Sequence, residues 1–286
     1  MRLENKVALV TSCRSSLCGQ TAQQLAAAGA SVMICGRNTT KGRETVAHIR
    51  SSGGRAGFVL ADVSLPMDVK AVVDETIATY GRLDILLNYI SGESVQDSEL
   101  IDVSEVMWDR VVESGLKGTF FCCQYALPFL QQSSGTIINM VRQSSDFRFE
   151  AVTTICQGGV AAMTSAIAQQ YPVRSVTANM IWIKPLNASK FNVEPLASKI
   201  VEQMASPTAD SLPTEETFAL SDGRLAAPTA SGIASGSAAT RPSLPPISPP
   251  FSDVATAVLY LATRSSTIQG ATLVVSERSE PSTVPS

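Results

Sequence analysis

Short apolar runs recur along this chain at VALVT (7–11), SVMIC (31–35), GFVLA (57–61) and LDILLN (83–88), and stretches of helical periodicity separate them. Unbroken apolar runs of this length suit strands buried on both faces, and intervening helices are the connections that parallel strands need. The pattern therefore predicts strands over Val7 to Thr11, Ala30 to Ile34, Ala56 to Ala61 and Leu83 to Asn88. Helices are expected over Gln20 to Ala28, Lys41 to Ser51 and Pro66 to Tyr80. The second half continues with a long helix over Val103 to Gln131, a strand over Gly135 to Met140, a helix over Ile155 to Gln170 and a strand near Val173 to Met180. Phe251 to Ala262 reads as a last helix and Ala271 to Ser276 as a last strand. With right-handed crossovers this is an α/β chain: a doubly wound, Rossmann-like three-layer sandwich of about seven parallel strands.

A length of 286 residues is enough for one such domain, so residues 1–286 are expected to form a single unit. Residues 206–250 interrupt it: this 45-residue stretch holds eight prolines and eight serines and reads as a flexible insert or a lid. Residues 277–286 read as a flexible tail. The net charge of −3 gives no electrostatic footprint for nucleic acid or an acidic membrane. No leader or membrane-length apolar run is evident, which predicts a cytoplasmic protein. The six cysteines lack metal-finger spacing and read as buried thiols, and the one histidine, His48, sits among charged neighbours on a helix surface. No metal is expected.

The order of elements, together with KVALVT at the start, Asp62 and Val63, LDILLN, and the closing pattern VATAVLYLATRSSTIQGATLVV, resembles the short-chain dehydrogenase/reductase family. That resemblance implies a dinucleotide lying across the carboxyl ends of the strands, with its pyrophosphate at the first helix N-terminus. It also implies cofactor contacts at Arg37, which lies where relatives hold the extra phosphate of NADP(H), at Asp62 and Val63 beside the adenine, and at Asn88. Family members carry glycines in the first turn, where this chain reads Ser12, Ser16 and Cys18, with Gly19 one residue late. They also use an asparagine, a serine, and a tyrosine and lysine four residues apart. Gly115, Arg142, Ile155 and Gly159 are read at those positions.

Isoleucine cannot exchange a proton, and glycine can neither hold a ribose nor tune a neighbouring phenol. The residues thus predict no cofactor, with residual NADP(H) binding at most. They favour a cofactor-independent cyclase, isomerase or lyase acting on a small apolar molecule. Arg142 would stabilise an oxyanion or polarised carbonyl, Glu93, Asp146 and Lys184 would be further catalytic candidates, and Tyr89, Gln143 and Trp182 would form the pocket wall. Two alternatives are an inactive structural partner within an oligomer and a divergent NADP(H)-dependent oxidoreductase. The resemblance further implies self-association, or pairing with a similar chain, through the long helix, the helix after the fifth strand and the last strand.

Overall fold

The computed structural model describes residues 3–13, 16–91, 100–142, 151–184, 254–263 and 267–276. Seven strands form one sheet: β1 (Val7–Thr11), β2 (Ser31–Gly36), β3 (Arg55–Leu60), β4 (Ile85–Ser91), β5 (Thr136–Arg142), β6 (Thr177–Lys184) and β7 (Thr272–Ser276). Every pairing is parallel, in the order β3-β2-β1-β4-β5-β6-β7. Strand order reverses between β1 and β4, and the crevice beyond their carboxyl ends is where an open sheet of this kind receives ligands.

Alternate side chains of each strand enter opposite cores. On one face Ala8, Val10, Val32, Ile34, Ile85 and Leu87 pack against α1 (Ser16–Ala27), α2 (Thr39–Ser51) and α7 (Val254–Thr263). On the other, Leu9, Met33, Leu86 and Ile137 meet α3 (Pro66–Tyr80), α5 (Gly118–Ser133) and α6 (Ala151–Gln170). Period-two alternation with both faces apolar explains why the strands read as continuous runs.

The amino end of the sheet is pinned by one carboxylate. Asp84 accepts from Lys6 Nζ at 2.8 Å, from Arg82 at 2.6 and 2.8 Å, and from the Val7 backbone N–H at 3.0 Å. Burial raises its pKa, but these donors outweigh that and hold it below the usual carboxylate range.

Several boundaries differ from expectation: β6 lies four residues later than read, and three helices depart in informative ways. The helix α1 starts at Ser16, because the serine-rich segment expected to be turn supplies its first turn. The helix α6 starts at Ala151, where burial of Val152 and Thr153 outweighs the modest helix propensity of a β-branched run. The long helix is not uniform: α4 (Glu105–Val112) passes through a π-helical turn, Glu113–Lys117, before α5. Residues 206–250 and 277–286 lie outside the described residues.

Candidate cofactor site

The turn after β1 lacks glycine, yet it keeps a glycine-like backbone. Ser12 has φ 57°, in the left-handed region, which costs an L-residue about 1–2 kcal/mol. Two bonds from β2 offset that strain: the Ser12 backbone N–H donates to the Cys35 thiol, and the Cys13 N–H donates to the Cys35 carbonyl at 3.1 Å. Gly36 makes the close approach possible, since a Cβ there would lie 3.3 Å from Cys13 N. Gly19 does not rescue the turn. It lies inside α1, packed on Thr45 of α2.

Above this turn opens a shallow cleft of about 40 Å³, partly open to solvent. Its floor and walls come from the carboxyl ends of four neighbouring strands: Ser12 after β1, Gly36 and Arg37 at β2, Ala61, Asp62 and Val63 after β3, and Tyr89 and Ile90 on β4. Ser114 and Gly115, from the π-helical turn, close the far side. At the outer rim Arg37 Nη1 lies 3.4 Å from Asp62 Oδ2. Burial raises the Asp62 pKa, but donation from the Ser64 N–H and hydroxyl, together with Arg37, leaves it below the usual range. A site of this shape offers backbone, a small-residue floor, one cation and one fixed carboxylate. Those groups suit the adenosine end of a dinucleotide, with the guanidinium at the rim on the side where a phosphate on its ribose would lie.

The other half of the crevice is built differently. Trp182 is 2% exposed and sits in a core cluster with Ile90, Val141, Val160, Ala161 and Met180, so its ring fills space instead of walling a pocket. Tyr89 is also buried, packed into the core on the α1 and α7 face, and it is among the residues lining the cleft. Arg142 is exposed at the end of β5, and Lys184 is half-buried at the end of the neighbouring β6. Glu93, Gln143 and Asp146 lie outside the described residues.

Asn88 belongs to the sheet. Its side chain is 1% exposed, accepts from the Thr11 hydroxyl at 3.0 Å and donates to Asn139 Oδ1 at 2.9 Å, while Asn139 donates to Thr164 at 2.8 Å. This chain of bonds ties β1, β4, β5 and α6 together. Arg37, Asp62 and Val63 line the cleft, whereas Asn88 is not among its lining residues.

The register read for α6 needs correction. Ile155 is 47% exposed, and a Cβ on Gly159 would collide with Leu116 at 2.9 Å, so neither position presents a side chain to the crevice. The buried pair four residues apart is Thr153 and Gln157, and Gln157 Nε2 donates to the Arg142 carbonyl at 3.0 Å. The helical stripe itself carried this signal: Val152, Thr153, Cys156, Gln157 and Val160 share a face that excludes Ile155. Sequence reasoning also missed the cleft residues Gly36 and Ser114, and it read Ser12 only as a lost glycine. It read all six cysteines as thiols, but Cys13 and Cys18 are joined in a disulfide with Cα atoms 5.4 Å apart.

Comparison with known proteins bears on what this site is for. Residues 6–200 match the family model described as short chain dehydrogenase. A 3beta-hydroxysteroid dehydrogenase of Mediterraneibacter gnavus is 33% identical over 63% of this chain, and the match spans 66% of that relative, just under two thirds. The short-chain reductase protein NovJ of Streptomyces niveus is 30% identical over 79% of this chain and 83% of its own length. Among solved structures, a short-chain alcohol dehydrogenase fold from Sinorhizobium meliloti superposes with a TM-score of 0.60 at 26% identity, covering 71% of this chain and 81% of that one. A dehydrogenase/reductase from the same organism superposes with 0.68 over 96% and 95%, and at 20% identity it speaks for the fold alone. These matches overturn the expected cofactor-independent cyclase, isomerase or lyase, and with it the expected absence of a cofactor: the relatives are named as dehydrogenases and reductases.

Proposed function

Because the chain belongs to the short chain dehydrogenase family, we propose that it is an NADP(H)-dependent oxidoreductase interconverting a carbonyl and an alcohol on a small molecule, with proton-handling groups that differ from the family's usual set. The cleft over Ser12, Gly36 and Ala61, with Arg37 and Asp62 at its rim, is the observation that carries this reading.

In this proposal Arg37 would hold the phosphate on the adenosine ribose, and Asp62 and Val63 would flank the adenine. The left-handed Ser12 and the N-terminus of α1 take the place of the glycine turn under the pyrophosphate. When bound, the nicotinamide supplies or accepts the hydride. The chain's own groups then have to steady the substrate oxygen and deliver or remove a proton. Gly115 at the π-helical turn, Arg142, Thr153 and Gln157 stand in for asparagine, serine, tyrosine and lysine. The Arg142 guanidinium can donate to the oxygen as negative charge develops there, and Gln157 holds its backbone in place. Neither threonine nor glutamine titrates near neutral pH, so the proton is exchanged with water, and turnover is slow compared with a tyrosine-lysine enzyme. A substrate with a ketone on an apolar ring or chain agrees with the hydroxysteroid activity named for one relative.

The reading is tested by following the loss of reduced-nicotinamide absorbance when NADPH is mixed with the chain and a panel of cyclic ketones, 3-oxoacyl thioesters and aldehydes. Turnover that Arg142→Ala abolishes is the expected result. Saturable nucleotide binding without turnover of any carbonyl would restrict the chain to nucleotide binding.

A further inference from the structure

Resting on the nucleotide reading above, we propose that Cys13–Cys18 is a reversible redox-modification site: the disulfide holds the phosphate turn in its binding conformation, so that the oxidised chain binds NADP(H) and the reduced chain binds it weakly.

The bond joins the turn after β1 to the third residue of α1, five positions on. It therefore staples together the two pieces between which a pyrophosphate sits. Its location decides whether it blocks or supports. Cys13 is 5% exposed and Cys18 is fully buried, both belong to the core cluster with Val10, Ala22 and Ile34, and neither is among the residues lining the cleft. Neither sulfur therefore occupies the cleft, and the bond acts as a restraint on the chain around it and not as a plug.

Support is also what this turn requires. Ser12 is held in the left-handed region without being glycine, and Cys35 grips the turn only from the β2 side. The disulfide restrains it from the helix side. Breaking that restraint lets Ser12 relax toward conformations an L-residue prefers, and binding must then reorder the turn at a cost in affinity.

The remaining thiols do not compete for this role. Burial pushes Cys35 and Cys123 up to about 12 and Cys156 up to about 11, and raises Cys122 well above its ordinary value. All four stay protonated near neutral pH and none is joined in a disulfide. The 13–18 ring is short, so it restrains the unfolded chain less than a long loop would, and because both sulfurs are buried its exchange with surrounding thiols proceeds through opening of the turn.

Formation from the dithiol balances with a small-molecule disulfide such as oxidised glutathione as oxidant. The Cys13 thiolate attacks one of its sulfurs, expelling one thiolate and leaving a mixed disulfide; the Cys18 thiolate attacks the Cys13 sulfur and expels the second. The two protein thiols give up two protons and two electrons, and the oxidant leaves as two thiols.

The test begins with chain purified without reductant, denatured and alkylated, then weighed. Four alkylated cysteines before reduction and six after are expected, given six in the sequence and one bond. NADPH is then titrated by fluorescence into native protein, into protein treated with dithiothreitol, and into treated protein reoxidised with oxidised glutathione. The expected result is affinity at least about tenfold weaker after reduction and recovered on reoxidation. Cys13→Ser, checked for folding by circular dichroism, should match the reduced form and ignore both reagents. Equal affinity in the two forms, tighter binding after reduction, or six alkylated cysteines at the outset overturns the inference and leaves the function intact. Binding to neither form overturns the nucleotide reading itself, and the inference with it.

Discussion

On the β1–β3 side of the crevice, Ser12, Gly36 and Ala61 leave space and Arg37 and Asp62 bring charge to its rim; on the β5–β6 side, Val141, Met180 and Trp182 interlock under α6. The same sheet supplies both sides, and the backbone of each follows one pattern of parallel pairing. What differs is side-chain volume at strand ends. A few substitutions there decide whether the crevice admits a ligand or becomes core, with the strands themselves unmoved. A family scaffold can therefore keep its nucleotide-binding half while the half that handles the proton is rebuilt.

The strongest way to break that contrast is to empty the filled side. Trp182→Ala is expected to destabilise the fold by about 3–5 kcal/mol in urea or thermal unfolding, because a large buried ring leaves a cavity. A cost below about 1 kcal/mol would mean that the ring faces an open pocket after all.

Next in size is the register of α6. Introducing the family pair as Thr153→Tyr with Gln157→Lys should raise the rate of NADPH-dependent ketone reduction by about 10²-fold, the scale of a positioned acid. Placing the same residues at Ile155 and Gly159 should give no gain, since one points to solvent and the other strikes Leu116. The reverse ranking would restore the register read from the sequence.

On the open side, Arg37→Ala should weaken NADPH by about tenfold and leave NADH unchanged in parallel titrations, as loss of one charge-assisted phosphate contact would. Equal weakening of both would place Arg37 elsewhere in the site.

The smallest effect concerns Asp62. Its folded-state pKa is depressed, so the group stabilises the fold above its unfolded-state pKa of about 3.9, and that contribution is lost as pH falls through the lower folded value. Asp62→Asn should remove this acid-side slope and cost at most about 0.5–1 kcal/mol at neutral pH, because the Arg37 pair is screened by solvent. Stability that rises on acidification would contradict the assignment.

Much of the scaffold was legible before any coordinates. Continuous apolar runs such as VALVT and LDILLN announce strands buried on both faces, and the helices between them leave few topologies. The site was harder to read because it depends on directions, which composition does not carry. Asn88 looks like a ligand in sequence, but its amide is used by Thr11 and Asn139 across the sheet. Gly36 looks incidental, and its missing Cβ is what lets the first turn pass close to β2. Cys13 and Cys18 are two thiols among six until the turn brings their Cα atoms within bonding reach. Reading the loss of glycines as loss of the site assumed that only glycine reaches the left-handed region. Ser12 does so with help from Cys35.

The most direct test of the central claim is calorimetric titration of the unreduced chain with NADPH and, separately, with adenosine 2′,5′-bisphosphate, the fragment that occupies only the open side. The account predicts saturable binding of both, with the fragment retaining most of the affinity. Absence of heat from either ligand at millimolar concentration would contradict it.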